Sequence, residues 1–194
     1  MEIEIPTAKI YIIEGIAGAG KNTLHAQLKE KLKDKIIYDF NEEDLLFSWK
    51  HGWIKDIDAM RLTFQENFLD YCAKVISENS KAVFILERFH ISYRFFTLLQ
   101  DVLSEARYEK TLQRLKDLST FIFVPIIDNK LIESRSSHLE RVDPVWKIHL
   151  EKRLKQRGCA TLQEMYSLEQ KKIIELLEQQ GLPYRLVEVP VKIN

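Results

Sequence analysis

The stretch EGIAGAGKNT places three glycines and a lysine at the spacing of a loop that binds phosphate. Glycines let the backbone turn tightly, so that successive amide groups can point at one anion. A helix that begins at the loop adds the positive end of its dipole. Lys21 can then reach the β and γ phosphates of a nucleoside triphosphate. We therefore predict a triphosphate site formed by Gly15, Gly18, Ala19, Gly20, Lys21, Asn22 and Thr23.

Asn22 departs from this pattern, which has Ser or Thr after the lysine to place a hydroxyl on Mg²⁺. The amide oxygen of Asn22 is also a hard donor, and Mg²⁺ accepts such ligands while keeping several waters. Thr23 stands roughly 100° further around the helix and is poorly placed to substitute. Two alternatives follow. Either Asn22 holds the metal, or phosphates, water and a carboxylate elsewhere hold it more weakly.

Short apolar runs predict five strands, and stretches with apolar residues at helical spacing alternate with them. The predicted strands are 9–14, 36–40, 82–87, 119–126 and 184–189. The predicted helices are 23–32, 61–78, 92–118 with a break near Ser104, 143–158 and 161–180. Residues 41–53 have no clear assignment, and 128–144 is predicted as a charged loop without periodicity. Alternating strands and helices indicate an α/β fold, a parallel sheet with helices on both faces.

The composition limits the classes of function. A formal net charge of zero argues against a protein dedicated to binding nucleic acid. Cys72 and Cys159 are too few for a disulfide framework or a zinc site, so a reducing compartment is expected. No apolar run approaches the roughly 20 residues of a membrane span, and the first residues lack signal-peptide features. We therefore expect a cytoplasmic protein with no nucleic-acid and no membrane partner.

Three stretches, IIEGIAGAGKNTL, LTFQENFLDY and ILERFHISYRFF, resemble the deoxynucleoside kinase family in order and spacing. That family shares its fold with the thymidylate kinases, and the resemblance extends over residues 9–157. It implies a single domain, 1–194, with a five-stranded parallel sheet of the phosphate-loop NTPase type. It also implies a mobile lid over about 128–144, a nucleoside or nucleotide acceptor, and ATP and Mg²⁺ as cofactors. A homodimer is compatible with it.

The resemblance assigns roles to a Glu-Arg pair at the end of the third strand, here Glu87 and Arg88. The glutamate helps to hold Mg²⁺, together with Asn22 in this chain, and the arginine contacts the reacting phosphate or the 5′ oxygen. Their place supports this, because ligands of open α/β sheets bind at the carboxyl ends of strands. A purely structural ion pair is the alternative.

Gln65 in LTFQ matches the family glutamine that pairs with the edge of the base. An amide both donates and accepts hydrogen bonds, which suits a nucleobase, although a helical glutamine is more often a surface residue. Tyr93 stands where the nucleoside kinases carry Asp, which leaves the choice of base open. The predicted acceptor-binding residues are Gln65, Glu42, Arg88 and Tyr93. Trp49 and Trp53 either form a wall of the acceptor pocket or pack in the core.

The catalytic base is expected near the end of the second strand, where the family has Glu followed by Pro. This chain has Asp39 followed by Phe40, with Glu42 two residues further on. A carboxylate in reach of the acceptor hydroxyl would orient it and take its proton. Either acid can serve, and the sequence favours Asp39.

Arg135 and Arg141 fall in the predicted lid. The family resemblance implies that lid arginines close over the donor phosphates and stabilise charge in the transition state. A solvated loop of mixed charge is the alternative for this segment.

Three functions are compatible with these residues. The first is a kinase that moves the γ-phosphate of ATP to a nucleoside 5′-hydroxyl, and the second is a thymidylate-type kinase of a monophosphate. Residues 39–70 contain eight acidic and three basic residues, which favours a neutral acceptor, although Arg61, Arg88 and Arg94 could surround a phosphate. The third is a nucleotide-binding protein with little catalysis, for which Asn22 is the main argument.

Overall fold

The computed structural model describes residues 3–46, 57–96, 102–136 and 144–188. Its strands are β1 (Ile10–Ile13), β2 (Ile36–Phe40), β3 (Ala82–Glu87), β4 (Thr120–Ile126) and β5 (Tyr184–Glu188). They form one sheet in the order β2-β3-β1-β4-β5, and every neighbouring pair is parallel. The predicted five-stranded parallel sheet is confirmed.

Helices connect the strands and cover the sheet. In the described residues they are α1 (Lys21–Lys31), α2 (Glu42–Leu46), α3 (Ile57–Glu78), α4 (His90–Phe96), α5 (Val102–Asp117), α6 (Asn129–Ser136), α7 (Pro144–Arg157) and α8 (Leu162–Gln180). Three of them differ from the prediction in kind. α2 lies in the unassigned segment, α6 replaces the first part of the predicted loop, and α5 is continuous through Ser104, near which the sequence predicts a break.

Local capping explains α2. The side chain of Asn41 accepts a hydrogen bond from the amide of Asp44 at 3.2 Å, and the Asp44 carboxylate accepts one from the amide of Asn41 at 3.0 Å. This reciprocal arrangement satisfies amides that the first turn leaves without partners. α2 is thereby held directly after β2, with Glu42 as its first residue.

The two faces of the sheet carry separate cores because side chains alternate along a strand. Even-numbered residues such as Ile10, Ile12 and Phe84 pack with α3, α5 and α8 in the larger core. Odd-numbered residues such as Tyr11 and Ile13 pack with α1 and with the first described residues of the chain. The face on which a strand residue lies therefore decides which helices it can contact.

The carboxyl ends of the strands create the edge at which the phosphate loop, residues 15–21, is located. β1 is the central strand, and its last residue, Ile13, pairs with Glu87 of β3. Phe40, the last residue of β2, pairs with Leu86. The parallel register therefore places the phosphate loop, the Glu87-Arg88 pair and the start of α2 side by side.

His90 makes the stability of this fold sensitive to acid. Its ring is fully buried at the start of α4, with Nε2 2.5 Å from Oε1 of Gln180, and burial lowers the pKa of His90 to about 4. The unfolded chain keeps a pKa near 6.5. The neutral ring therefore stabilises the fold above pH 6.5, and this contribution is lost as the pH falls toward 4.

We expect the free energy of unfolding to decrease by about 3 kcal/mol between pH 7 and pH 4 through His90 alone. Urea unfolding at several pH values measures this. The control is the double variant His90→Phe with Gln180→Leu, which has no titrating ring and should lose less stability over the same range. Equal losses of unfolding free energy in the two proteins would show that His90 is not the source of the acid sensitivity.

Candidate active site

The phosphate loop ends in the open N-terminus of α1. Gly20, the residue before the helix, has φ 94°, and Gly18 has φ 81°, conformations that side-chain-bearing residues rarely adopt. No side chain caps α1, and its first turn contains no acidic residue. The positive end of this 11-residue helix therefore has no side-chain cap or carboxylate in its first turn, which suits the binding of an anion.

α6 approaches the phosphate loop at Gly18. A Cβ atom at Gly18 would lie 3.1 Å from the carbonyl oxygen of Arg135. α6 is held in this place by the fully buried Ile132 and by Gln163 of α8, which donates to the carbonyl of Asn129 at 3.2 Å. The predicted lid residue Arg135 thus lies next to the phosphate loop, whereas Arg141 is outside the described residues.

Lys21 and Glu87 are brought together beside the loop. Nζ of Lys21 donates to the carbonyl of Ile16 at 3.3 Å and lies 3.6 Å from Oε1 of Glu87. The lysine side chain is 9% exposed and the glutamate side chain 24% exposed. The ammonium group is therefore held at the mouth of the loop, where a bound phosphate would meet it.

Arg88 follows Glu87 in an unusual backbone conformation. Its φ is 60°, a conformation that costs a non-glycine residue about 1–3 kcal/mol and persists only where the surrounding structure enforces it. Its amide donates to the carbonyl of Ile13 at 3.0 Å, and Nη1 donates to Oε1 of Glu42 at 3.0 Å. Burial alone would lower the pKa of Arg88, but nearby carboxylates, Glu42 first among them, outweigh burial and raise it. Arg88 is thus a buried, fully charged cation.

Glu14, the residue before Gly15, was not predicted as a site residue. Its fully buried carboxylate accepts hydrogen bonds from the amide of Phe89 at 2.8 Å and from the amide and hydroxyl of Ser92 at 3.3 and 2.5 Å. Burial raises the pKa of Glu14, and these donors with Arg88 oppose the rise. The only feature of the sequence that could have indicated Glu14 as a site residue is its position between an apolar strand and the glycines.

Asp39 lies on the face of the sheet that carries α1. Its carboxylate is 2.6 Å from Nε2 of His25 and accepts a hydrogen bond from Nζ of Lys29 at 2.8 Å. Burial raises the pKa of Asp39, but the hydrogen bonds from Lys29 and His25 outweigh it and lower the pKa. Glu42, the other candidate base, is instead in contact with Arg88. The structure therefore separates the two acids.

Gln65 occupies an apolar position of α3. It is fully buried on the stripe that includes Leu62, Leu69 and Cys72, and these pack in the larger core. Neither polar atom of its amide has a hydrogen-bond partner among the residues that the structure describes. Leaving a buried polar group without a partner costs about 1–3 kcal/mol. This makes Gln65 a candidate for binding a ligand.

The remaining predicted acceptor residues have different surroundings. Tyr93 is buried in α4. Trp49 and Trp53 lie outside the described residues.

Sequence reasoning also missed Arg153 and Glu169, which form a buried ion pair between α7 and α8. The Glu169 carboxylate helps to raise the pKa of Arg88.

The donor set at the loop suits Mg²⁺ better than a metal enclosed by protein ligands. In the described part of the chain, no three His, Cys, Asp or Glu side chains are grouped to hold a metal ion. Asn22, exposed in the first turn of α1, and Glu87, at the end of β3, supply an amide and a carboxylate. Mg²⁺ usually takes one or two such ligands and completes its shell with waters and substrate phosphates.

We expect Asn22→Thr to lower the Mg²⁺ concentration needed for half-maximal activity, by at most about tenfold or 1.4 kcal/mol. The reason is that a hydroxyl in the first turn is a more compact ligand than an amide, while phosphates and waters supply most of the shell. Magnesium titration of the reaction rate measures this. Thr23→Ser is the control, and its magnesium dependence should not change. If Asn22→Thr needs the same or a higher Mg²⁺ concentration for half-maximal activity, Asn22 is a competent ligand or the metal is held elsewhere.

Comparison with known proteins establishes the fold. No family model matches the chain, and no curated protein matches it. Among solved structures, the chain is similar to thymidylate kinase from Candida albicans, with 16% identity, a TM-score of 0.58 and coverage of 94% of this chain and 84% of that one. It is also similar to the YorR protein of Bacillus subtilis in complex with phosphorylated GDP, with 16% identity, a TM-score of 0.52 and coverage of 92% and 85%.

A second thymidylate kinase, from Ehrlichia chaffeensis, has 14% identity, a TM-score of 0.52 and coverage of 94% of this chain and 93% of that one. The chain therefore shares the phosphate-loop kinase fold of these thymidylate kinases, as the sequence resemblance predicts. None of the described helices combines the length and the apolar character that crossing a membrane requires.

Proposed function

We propose that this chain is a kinase that transfers the γ-phosphate of ATP, with Mg²⁺, to the 5′-hydroxyl of a nucleoside, a deoxynucleoside or a similar small acceptor. One observation carries the proposal. Two ion pairs, Lys21 with Glu87 and Arg88 with Glu42, lie at the carboxyl edge of the sheet, beside the N-terminus of α1, which no side chain caps. A cytoplasmic location is part of the proposal.

On the donor side, the phosphates of ATP would bind to the loop amides and to Lys21, which would exchange the carbonyl of Ile16 for a phosphate oxygen. Arg135, next to Gly18, would add positive charge to the transferred group, and Arg141 is proposed for the same role. Asn22 and Glu87 would hold Mg²⁺. When bound, the ion would neutralise charge that develops on the phosphates.

On the acceptor side, we assign the general base to Glu42. It lies within 3.0 Å of Arg88, whereas Asp39 lies on the α1 face with its carboxylate bonded to Lys29 and His25. The acceptor proton would move to Glu42 as the acceptor oxygen bonds to the γ-phosphorus. The bond from this phosphorus to its bridging oxygen would break, leaving ADP. Asp39 would serve to fix α1 against β2.

The charges around the acceptor side favour a neutral acceptor over a monophosphate. Glu42 balances the charge of Arg88. Arg94 is 2.7 Å from Glu105 and lies over the ring of Tyr108, 4.4 Å from its centroid. Carboxylates therefore already engage two of the three arginines considered for an acceptor phosphate. A thymidylate-type kinase of a monophosphate is the second candidate. A binding protein with little catalysis, suggested by Asn22, is the third.

The test is ATP consumption by the purified chain with nucleosides, nucleoside monophosphates and other small alcohols. We expect turnover with at least one nucleoside and little with the monophosphates. Turnover only with monophosphates would establish the second candidate. ATP binding in a calorimeter without turnover of any acceptor would favour the third.

Gln65→Leu gives a further test of the acceptor site. The substitution keeps the volume and removes an amide without partners, so we expect a gain of about 1 kcal/mol in the free energy of unfolding. The KM of the acceptor should rise about tenfold or more because the base loses its hydrogen bonds. Chemical unfolding and steady-state kinetics measure the two effects.

The control for this test is Asn67→Leu, at an exposed position of the same helix. It should leave the KM of the acceptor unchanged. If Gln65→Leu is destabilising and leaves KM unchanged, Gln65 has a structural role in the core instead.

A further inference from the structure

Glu14 joins the phosphate loop to the segment that follows Arg88. It stands directly before Gly15, and its backbone amide donates to the carbonyl of Phe123 in β4 at 3.0 Å. Its carboxylate reaches across to the amides of Phe89 and Ser92 and to the Ser92 hydroxyl. One buried side chain is therefore shared by the loop and by the start of α4.

The bond to Phe89 is the one that matters for Arg88. Arg88 has φ 60°, and such a conformation persists only when the surrounding structure enforces it. The amide of Arg88 is fixed by the carbonyl of Ile13, and the next amide, that of Phe89, is fixed by Glu14. Ile13, the last residue of β1, and Glu14, which follows it, thus hold the peptides on both sides of Arg88.

We infer that Glu14 is a positioning residue that locks the backbone turn at Arg88 to the phosphate loop, and so aligns the Arg88 guanidinium with the reacting phosphate. The second half of this inference rests on the proposed kinase function. In this role the Glu14 carboxylate, which is bonded to Phe89 and Ser92, would not contact the substrates. It acts through Arg88.

A simple helix cap would not have this geometry. Capping residues ordinarily belong to the segment just before the helix and satisfy its first amides locally. Glu14 instead directly follows the central strand β1, and it is remote from α4 in sequence. A local cap would stabilise α4 alone, whereas this carboxylate fixes α4 and Arg88 relative to the loop.

The test uses Glu14→Gln in the full chain, with two measurements. The amide of Gln keeps one oxygen that accepts from Phe89, but it loses the charge and presents a donor toward the Ser92 hydroxyl. We expect kcat to fall about 10- to 100-fold, with the KM of ATP changed less than about threefold, because misplaced groups affect the chemical step. Hydrogen exchange of the amides in 87–96 should become faster.

A double-mutant cycle with Arg88→Gln separates positioning from general stability. Residues that act as one unit give non-additive effects, so Glu14→Gln should cause little further loss of kcat in the Arg88→Gln background. The control is Thr161→Ala, which removes the side-chain cap of α8 and should leave kcat unchanged. Ser92→Ala, which removes one of the three donors, should have a smaller effect than Glu14→Gln.

Additive losses in this cycle, or an unchanged kcat in Glu14→Gln, would overturn the positioning role. The proposed function can fail separately. If the unaltered chain turns over no acceptor, that function is rejected, while hydrogen exchange still decides whether Glu14 locks the turn. Unchanged exchange in 87–96 would then overturn the inference as well.

Discussion

Lys21→Ala is expected to lower kcat about 10³-fold while the fold remains intact. Lys21 is the buried cation at the mouth of the phosphate loop, within 3.6 Å of Glu87. Its ammonium group would follow the negative charge as it moves between the γ-phosphate and the leaving ADP. Alanine cannot replace this interaction, and the loop amides alone would then bind the phosphates.

Steady-state kinetics and thermal unfolding of the purified variant measure both parts of this prediction. Lys29→Ala is the matched control, because Lys29 is on the same helix and pairs with Asp39 at the surface. It should leave kcat unchanged. Wild-type turnover in Lys21→Ala would show that the loop is not the phosphate site.

The second large effect is expected when each of the two candidate bases is replaced by its amide. Glu42→Gln should lower kcat about 10²- to 10⁴-fold, the usual contribution of general base catalysis. Asp39→Asn should change kcat less than about threefold, because its carboxylate contacts α1 on the other face of the sheet. The loss of its partly exposed ion pairs should cost no more than about 1 kcal/mol of stability.

Kinetics of the two variants under identical acceptor saturation provide the comparison. Saturation matters because Glu42 also balances the charge of Arg88, so the KM of the acceptor can change in Glu42→Gln. A large loss of kcat in Asp39→Asn, with little loss in Glu42→Gln, would reverse the assignment.

Strands that are buried on both faces can be predicted from the sequence residue by residue. The bounds of β3, which is buried from Ala82 to Leu86, follow directly from the apolar run AVFILE. β2, a partly exposed edge strand, also has the predicted bounds. α6 could not be found in this way, since Ile132 is its one fully buried residue in the described part of the chain and apolar periodicity is absent. Its helical state depends on contacts with α8 and the phosphate loop.

The face of the sheet on which Asp39 lies could have been predicted from the sequence. Tyr38 and Phe40 are the aromatic residues of β2 that pack toward α3, so alternation places Asp39 on the opposite face. The start of helix α2 could also have been predicted, because Asn41 and Asp44 have the spacing of a capping pair.

The role of Glu14 could not be predicted in this way. A glutamate before a glycine loop does not reveal the distant amides of Phe89 and Ser92 that it binds. Such a pairing appears only when the strands are assembled, because it joins parts of the chain that local patterns do not relate.

The strand order has a consequence for how the chain is made. β1 leads into the phosphate loop and lies at the centre of the sheet, yet the partners of Ile10 are Phe84 and Thr120. On the ribosome, β1 emerges long before either neighbour, and such distant pairing must first offset the entropy of closing a long loop. A nascent chain that stops before β4 therefore contains the complete GIAGAGK stretch but lacks the frame that shapes it. Nucleotide binding would thus be acquired late in synthesis.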